Sequence, residues 1–567
     1  MIDNLFTSIG VIIVIATFFA YIARLFKQPF ILAYIITGII IGPVLGLITN
    51  SETIATLSEI GIAFLLFIVG LEIDLKKLKN VAVVSSLGGI IQILILFTLG
   101  YIISMFFGFV NVNAVYIGLI LAFSSTMVVV KLLSDKKEVD TLHGRIIIGF
   151  LLMEDFFAIL ALSILSTSRL SFYPIAMSLL KFMIFLFVSF VIVRFLIKKV
   201  MKFAAKSQEL FFLVSVGLLF LFSLFALYLN ISIIIGSFIA GVVLGNLPYN
   251  IEIKGKVKSL KDFFSTIFFV SLGLELSLTD ITDIIKPLII FIIFITVCKP
   301  VLTMFLCSFF GYRKRPSFLT AISLAQISEF SLIIVTQGLL LGHIGQGVFS
   351  LAVIIAIVTM TITSYTISFD NKLYLFFSKY IGIFDRIGRK SSQLEYVPKR
   401  KDIDVILCGF NRIGYSIYRV IKKLRKRLLV IDYNPEIVRD LIKKKIPCIY
   451  GDIGDLEVVN MLNLKEIKML ISTVPDKYDN LMLIRKAKGE KKNTIIFVTA
   501  SQVDDALELY DAGADYVILP HFLGGEHASV LIEEFGLDIN KIFETKLSHI
   551  RELKHRKSIG HEHPMHH

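Results

Sequence analysis

The sequence predicts a polytopic α-helical membrane protein of about thirteen transmembrane helices, followed by a C-terminal α/β domain of Rossmann type. Three observations carry that prediction. Hydrophobic residues fill 56% of 567 positions and the mean hydropathy is +0.81, far above the globular norm. At a shift of 203 residues the chain matches itself: Gly38-Ile-Ile-Ile-Gly with Gly241-Val-Val-Leu-Gly, Gly70-Leu-Glu-Ile with Gly273-Leu-Glu-Leu, and Leu121-Ala-Phe-Ser-Ser with Leu324-Ala-Gln-Ile-Ser. From Asp402 onward, short apolar runs alternate with helical patterns, as in a doubly wound sheet.

Apolar segments of membrane-spanning length fall at 5–23, 30–48, 54–71, 81–107, 112–131, 145–166, 173–197, 209–229, 231–247, 262–276, 284–310, 317–341 and 346–369. With the N-terminus outside, one set of loops holds Arg24, Lys27, Lys76, Lys136, Arg145, Lys198, Lys254, Arg313 and Arg315, among others. The opposite set holds only Arg169 and Lys286. This bias places the rich set and the long C-terminal region in the cytoplasm. It also accounts for most of the +14 formal charge, so no nucleic-acid partner is expected; the partner is a lipid bilayer. The four cysteines lack CxxC or disulfide-framework spacing, which fits a reducing compartment. No basic region precedes the first apolar run, which reads as a span and not a cleaved signal.

The self-match covers about ninety residues per copy. An odd number of spans separates the copies, so they run through the membrane in opposite directions. Inverted repeats of this kind are a signature of secondary transporters.

Within this framework, Glu154-Asp155 stands out. An ionised carboxylate in hydrocarbon costs ~2.5–3.5 kcal/mol on insertion scales, so two adjacent acids need partners or an aqueous cavity. The alternative is that they brace neighbouring helices. The matched polar segments, Ser124-Ser125-Thr126 and Gln326-Ile327-Ser328-Glu329, sit within apolar spans. They could serve ordinary interhelical hydrogen bonds. Their equivalence in the repeat favours two discontinuous helices that break and cross beside Asp155, presenting half-helix ends to an ion. Lys299, followed by Pro300, lies mid-span and is the candidate counter-charge. It is expected to pair with Glu154, leaving Asp155 to exchange a proton for a cation.

These motifs resemble the cation:proton antiporters, specifically the Kef-type branch with thirteen spans and a cytoplasmic nucleotide-binding domain. The resemblance rests on Phe67-Ile-Val-Gly-Leu-Glu, Ser124-Ser-Thr, the acid pair before Phe156, Gly236-Ser-Phe-Ile-Ala-Gly, Lys299 and Gln326-Ile-Ser-Glu-Phe. It implies a monovalent cation:proton antiporter of the plasma membrane, with Asp155 binding Na+ or K+ and H+ in turn. Glu154, Lys299, Ser125, Thr126, Gln326, Ser328 and Glu329 surround it. In this family the residue before the aspartate is Gln in Kef-type potassium exchangers and Asp in electrogenic sodium relatives. Here it is Glu154, so the cation and the stoichiometry stay open.

In the soluble region the first strand, Val405-Ile-Leu-Cys, leads into Gly409-Phe-Asn-Arg-Ile-Gly414, a phosphate-binding turn that opens a helix. Asp432 ends the second strand, where ribose hydroxyls would be met. Asn411 replaces the middle glycine of the usual fingerprint, so a mononucleotide suits this turn better than NAD. This region resembles the TrkA-N domains, which regulate potassium conductance. The resemblance implies an adenine nucleotide (AMP, ATP or NAD(H)) as regulatory ligand, held by Gly409, Asn411, Arg412, Gly414, Asp432, Asp452, Ser472 and Thr473. It also implies a homodimer.

The expected organisation is a transmembrane domain over 1–370, a linker helix over 371–401, the nucleotide-binding domain over 402–525 and a tail over 526–567. The tail's final histidines read as a disordered end. A nucleotide-gated potassium channel would need a carbonyl filter such as TVGYG, and none occurs. A membrane-anchored NAD(H) oxidoreductase would need a redox site, and none stands out.

Overall fold

The computed structural model describes residues 5–48, 52–72, 83–109, 111–136, 138–139, 141–165, 172–229, 231–247, 249–277, 281–312, 314–378, 380–381, 395–396, 403–410, 413–454, 456–462, 464–490, 493–535, 546, 549–551 and 554. The chain divides into two compact units, Met1–Arg389 and Lys390–His567. The division falls inside the predicted linker.

Among the described residues the regular structure of the first unit is all helical, because apolar segments in lipid must satisfy their own backbone groups. Its helices are α1 (Leu5–Leu25), α2 (Phe30–Ile39), α3 (Glu52–Glu72), α4 (Val83–Phe106), α5 (Val112–Ala122), α6 (Thr126–Asp135), α7 (Leu142–Leu165), α8 (Phe172–Ile192) and α9 (Lys198–Ala204). The second half follows with α10 (Gln208–Tyr228), α11 (Ile233–Gly245), α12 (Asn250–Leu274), α13 (Ile281–Ile293), α14 (Lys299–Phe309), α15 (Lys314–Ser323), α16 (Glu329–Leu340), α17 (Gln346–Ser368) and α18 (Asp370–Phe377). Each predicted apolar segment falls on a helix or a broken helix. Among the described residues, seven helical stretches are long and apolar enough to cross a membrane unaided, and five shorter apolar helices accompany them. One boundary differs from expectation: α12 begins at Asn250, well before position 262. Lys254, Lys256 and Lys258 are good helix formers, so the helix extends beyond its apolar part.

The repeat is more complete than its motifs suggested. The same 203-residue shift lays Leu5–Leu25 on Gln208–Tyr228, Phe30–Ile39 on the start of Ile233–Gly245, and Leu142–Leu165 on Gln346–Ser368. Only α8, α9 and α18 lie outside it. The repeated glycines explain the packing. A Cβ at Gly38 would lie 2.0 Å from the Val270 carbonyl oxygen, and one at Gly241 would lie 2.0 Å from that of Phe67. Likewise Gly273 faces the Ile35 oxygen at 2.2 Å and Gly70 faces that of Phe238 at 2.3 Å. Each contact maps onto its partner under the shift, so α2 and α3 interlock with α12 and α11 about a pseudo-twofold axis. Backbones this close leave no room for any side chain.

The second unit is a seven-stranded sheet, ordered β1-β4-β3-β2-β5-β6-β7. The strands are β1 (Glu395–Tyr396), β2 (Val405–Cys408), β3 (Leu428–Asp432), β4 (Cys448–Tyr450), β5 (Met469–Ser472), β6 (Ile495–Thr499) and β7 (Tyr516–Ile518). The helices are α19 (Ile413–Lys423), α20 (Pro435–Lys443), α21 (Leu456–Met461), α22 (Lys477–Glu490), α23 (Val503–Asp511) and α24 (Pro520–Phe535). All pairings are parallel except β1 with β4. The six parallel strands were expected; β1 was not, since two residues carry no alternation to read. Helix α24 runs across the predicted 525/526 boundary, and the final histidines lie outside the described residues. Beneath the sheet, Asp404 accepts from the Arg427 guanidinium at 3.1 Å and meets Lys468 Nζ at 3.1 Å. These cations hold its carboxyl well below the usual carboxylate range.

Alanine at Gly38 or at Gly241 is expected to destabilise by about 1–3 kcal/mol through overpacking. The two losses should match, while Gly10→Ala, with nothing within 4 Å, should cost nothing; thermal melts in detergent check this. Because the folded-state pKa of Asp404 is depressed, its stabilisation is present above the unfolded value of about 3.9 and fades as pH falls through the folded value. Asp404→Asn should therefore reduce hydrogen-exchange protection of the Val405–Cys408 amides at neutral pH. The gap from wild type should narrow in acid.

Candidate functional site

Two helices of the first unit break at equivalent positions. After α5 the backbone leaves the helix at Phe123 (φ −91, ψ 150) and re-enters it past Ser125 (φ −77, ψ 116). After α15 it unwinds over 324–328 and re-enters past Ser328 (φ −90, ψ 154). Ser125 and Ser328, related by the shift, are both N-caps: Ser125 Oγ accepts from the Val128 amide at 3.2 Å and Ser328 Oγ from the Phe330 amide at 3.0 Å. Serine is chosen at such ends because its oxygen satisfies an orphan amide. The unwound segments cross in contact. Ser124 Oγ donates to the Leu324 carbonyl at 3.1 Å, Gln326 Nε2 to the Ser125 carbonyl at 3.4 Å, and Ser331 Oγ to the Ile120 carbonyl at 3.0 Å.

Helix α7 brings the acid pair to this crossing. The Thr126 hydroxyl lies 3.0 and 2.9 Å from the two carboxylate oxygens of Asp155, so α6 begins with its amide end beside that acid, where a helix dipole favours negative charge. Glu154 accepts from Gln92 Nε2 at 3.0 Å and from the Ser124 amide at 2.5 Å. Both acids are about 2% exposed or less.

Lys299, fully buried, donates to the carbonyls of Phe123 (3.0 Å), Gln326 (3.0 Å) and Leu121 (3.4 Å). Its helix is entered through a π-helical turn, Phe294–Cys298, and Pro300 lacks the amide that would continue the regular ladder. The expected direct pair between Lys299 and Glu154 is not formed: no ion pair joins them among the described residues. Instead one peptide group separates them. The Phe123 carbonyl accepts from Lys299, and the Ser124 amide of the same peptide bond donates to Glu154. Its dipole is aligned with both charges and each bond polarises the other. The reason is geometric, since the unwound strand occupies the space between the two side chains and supplies a carbonyl and an amide in opposite directions.

Glu329, the repeat equivalent of Thr126, accepts from the Met127 amide at 3.2 Å. Glu329 Oε2 and Gln326 Oε1 are buried without a partner among the described residues. Unsatisfied buried acceptors are costly, and both of these belong to the second break, Gln326 in the unwound segment and Glu329 at the start of α16. Thus Glu154, Asp155, Lys299, Ser125, Thr126, Gln326, Ser328 and Glu329 gather at one crossing.

Sequence reasoning missed the support. Gln92, on α4, links Glu154 to Thr303, whose hydroxyl lies 3.2 Å from Gln92 Oε1. On α17, Thr363 donates to the Ala325 carbonyl at 2.9 Å and Thr359 accepts from the Ile327 amide at 3.4 Å. A lone glutamine in an apolar span was the available signal for Gln92.

In the second unit, Gly409 takes φ +83, and a Cβ there would meet Thr473 Oγ1 at 2.4 Å. A Cβ at Gly414 would fall 2.0 Å from the Gly409 carbonyl oxygen. The turn is therefore tight, and both glycines are required by space. Asp432 accepts from the Phe410 amide and the Asn434 amide, each at 2.8 Å, which fixes the carboxylate beside the turn. Thr473 Oγ1 lies 3.1 Å from the carbonyls of Cys408 and Gly409, so its hydroxyl clamps the turn. Asp452 accepts from the Gly454 amide at 3.1 Å. Ser472 is fully buried at the end of β5. Asn411 and Arg412 lie outside the described residues. Beside the turn, burial pushes the Cys408 thiol up to about 12, so it stays a neutral core side chain.

Residues 12–369 match the model of the family described as sodium/hydrogen exchanger, transmembrane, and residues 405–520 match the TrkA-N domain. The putative cation/proton antiporter YbaL of Escherichia coli strain K12 is 26% identical over 91% of this chain and 95% of its own. The glutathione-regulated potassium-efflux system protein KefC of Escherichia fergusonii is 26% identical over 89% and 82%. The sodium proton antiporter MjNhaP1 of Methanocaldococcus jannaschii superposes with a TM-score of 0.48 at 16% identity, covering 66% of this chain and 98% of that one.

Lys299→Ala would strip three carbonyls of their donor and leave Glu154 without a compensating charge. A loss of about 3–5 kcal/mol is expected. Lys299→Gln, which keeps an N–H donor, should lose less, and thermal unfolding of the two variants in detergent will rank them.

Proposed function

We propose that this chain, which belongs to the sodium/hydrogen exchanger family, exchanges K+ or Na+ for protons at Asp155 under control of a nucleotide on its TrkA-N domain. It is a multi-pass membrane protein and a cation/proton antiporter, a transporter and not an enzyme. The observation that carries the site assignment is the Thr126 hydroxyl set against both oxygens of Asp155 at the crossing of two broken helices.

In this reading the deprotonated Asp155 takes the cation from one side, with Thr126 and the unpartnered oxygens of Gln326 and Glu329 as further ligands. A proton then replaces it for the return. Glu154 stays engaged by Gln92 and Ser124 and, with Lys299, holds the unwound segment in place. Ser125 and Ser328 keep the two half-helix ends formed during the cycle. Access alternates as the crossing moves against the glycine-locked helices. The cation favoured is K+, since the potassium-efflux and cation/proton relatives align over most of this chain.

The soluble unit is a Rossmann-type nucleotide domain. Gly409, Asn411, Arg412 and Gly414 would hold the phosphates, with Asp432 on the ribose and Asp452, Ser472 and Thr473 bordering the adenosine and phosphates. AMP, ATP and NAD(H) are the candidate ligands, and each can regulate only by binding one transport state better than the other. The protein would act as a homodimer in the plasma membrane, with this domain in the cytoplasm as the loop charges indicate.

Asp155→Asn should reduce cation-driven proton flux in proteoliposomes to the level of empty vesicles while nucleotide binding persists. Flux retained in that variant would refute the site. Gradients of K+ and Na+, imposed with and without a voltage clamp, identify the cation and whether net charge moves.

A further inference from the structure

Helix α18 follows the last span directly, and the chain runs on from it to the soluble unit. It touches the C-terminal end of α6 and the middle of α15. Its first residue, Asp370, is 6% exposed and meets Lys136 Nζ, at the C-cap of α6, at 2.5 Å. Lys136 is braced from its other side by Glu138 at 3.0 Å, which in turn meets His143 at 3.2 Å. On its next turns, Tyr374 and Phe377 pack on Phe318 of α15, with ring centroids 5.9 and 6.2 Å apart and planes tilted by 51° and 38°. Leu375, Phe376 and Tyr380 stay 71%, 69% and 76% exposed, an apolar face suited to lie in the membrane interface.

Helices α6 and α15 are ten residues each, about 15 Å. One ends at α18 and begins at Thr126; the other packs its middle against α18 and ends at the unwound segment beside Lys299. Both are stiff rods between the same short helix and the same crossing. We propose that α18 is the transmission element of the protein: a shift of α18 driven by the nucleotide state of the soluble unit moves both half-helix ends at the ion site. The Asp370–Lys136 ion pair is the coupling to α6, and the packing on Phe318 is the coupling to α15. This rests on the regulatory reading of the soluble unit given above.

The test uses the full chain in proteoliposomes, with AMP, ATP, NAD+ and NADH as probes. In wild type, one probe changes cation-driven proton flux. Asp370→Asn should keep nucleotide binding, measured calorimetrically, and keep basal flux, while its response to nucleotide falls at least about fivefold. Asp370→Glu, which restores the carboxylate, should recover the response, and Tyr374→Ala with Phe377→Ala should lose it independently. If Asp370→Asn misfolds, the aromatic double variant decides. An unchanged nucleotide response in either well-folded variant overturns the proposal.

Hydrogen exchange along α6 separates this inference from the antiport reading. Nucleotide should alter exchange of the α6 amides in wild type and leave them unchanged in Asp370→Asn, whether or not flux is seen. Absent flux with this exchange pattern intact refutes antiport alone. Absent nucleotide effects on both flux and exchange in wild type overturn the coupling.

Discussion

The transport unit depends on one buried ammonium. Lys299 sits between two unwound segments and ties them together through the carbonyls of Phe123 and Gln326, with a third bond to that of Leu121. Its charge is balanced only at second hand, through the peptide between Phe123 and Ser124 to Glu154. A direct ion pair would give each charge a single strong partner but leave the unwound backbone unsatisfied. Placing a peptide between the charges solves both problems, because the backbone groups that a broken helix exposes become the ligands that neutralise them. Gln92 and Thr303 then keep Glu154 and the Lys299 helix in one register.

This arrangement gives the two acids different surroundings. Glu154 is held by an amide of the unwound strand and by Gln92, both on elements that frame the crossing. Asp155, one residue on, faces the N-terminus of α6 and its threonine. Adjacent side chains on a helix point about 100° apart, and that angle sends one acid to Gln92 and the Ser124 amide and the other to Thr126 at the start of α6. Across the crossing, Gln326 Oε1 and Glu329 Oε2 are buried without a partner among the described residues.

Much of this was legible in the sequence, for identifiable reasons. Apolar length located the spans, the 203-residue self-match located both helix breaks, and the turn after Val405–Cys408 located the nucleotide domain. These signals are local or periodic. Charge complementarity predicts that Lys299 and Glu154 are near each other, and not the peptide that stands between them. Gln92, Thr359 and Thr363 were passed over because a single polar residue in a span has no pattern. The role of Thr473 as a clamp on Gly409 could not be read either, since it depends on two strands being neighbours in the sheet.

The paired glycines carry a consequence for resting bias. A scaffold whose contacts map onto themselves under the repeat offers interchangeable faces to the two sides of the membrane, so closing one face opens a near copy of itself. The glycine contacts alone then favour neither orientation. Any preference must arise from what the repeat omits: the acid pair, which falls on Ile357 and Val358 in the second copy, Lys299, which falls on Leu96 in the first, and helices α8, α9 and α18. A ligand tips the balance only by its differential affinity for the two orientations.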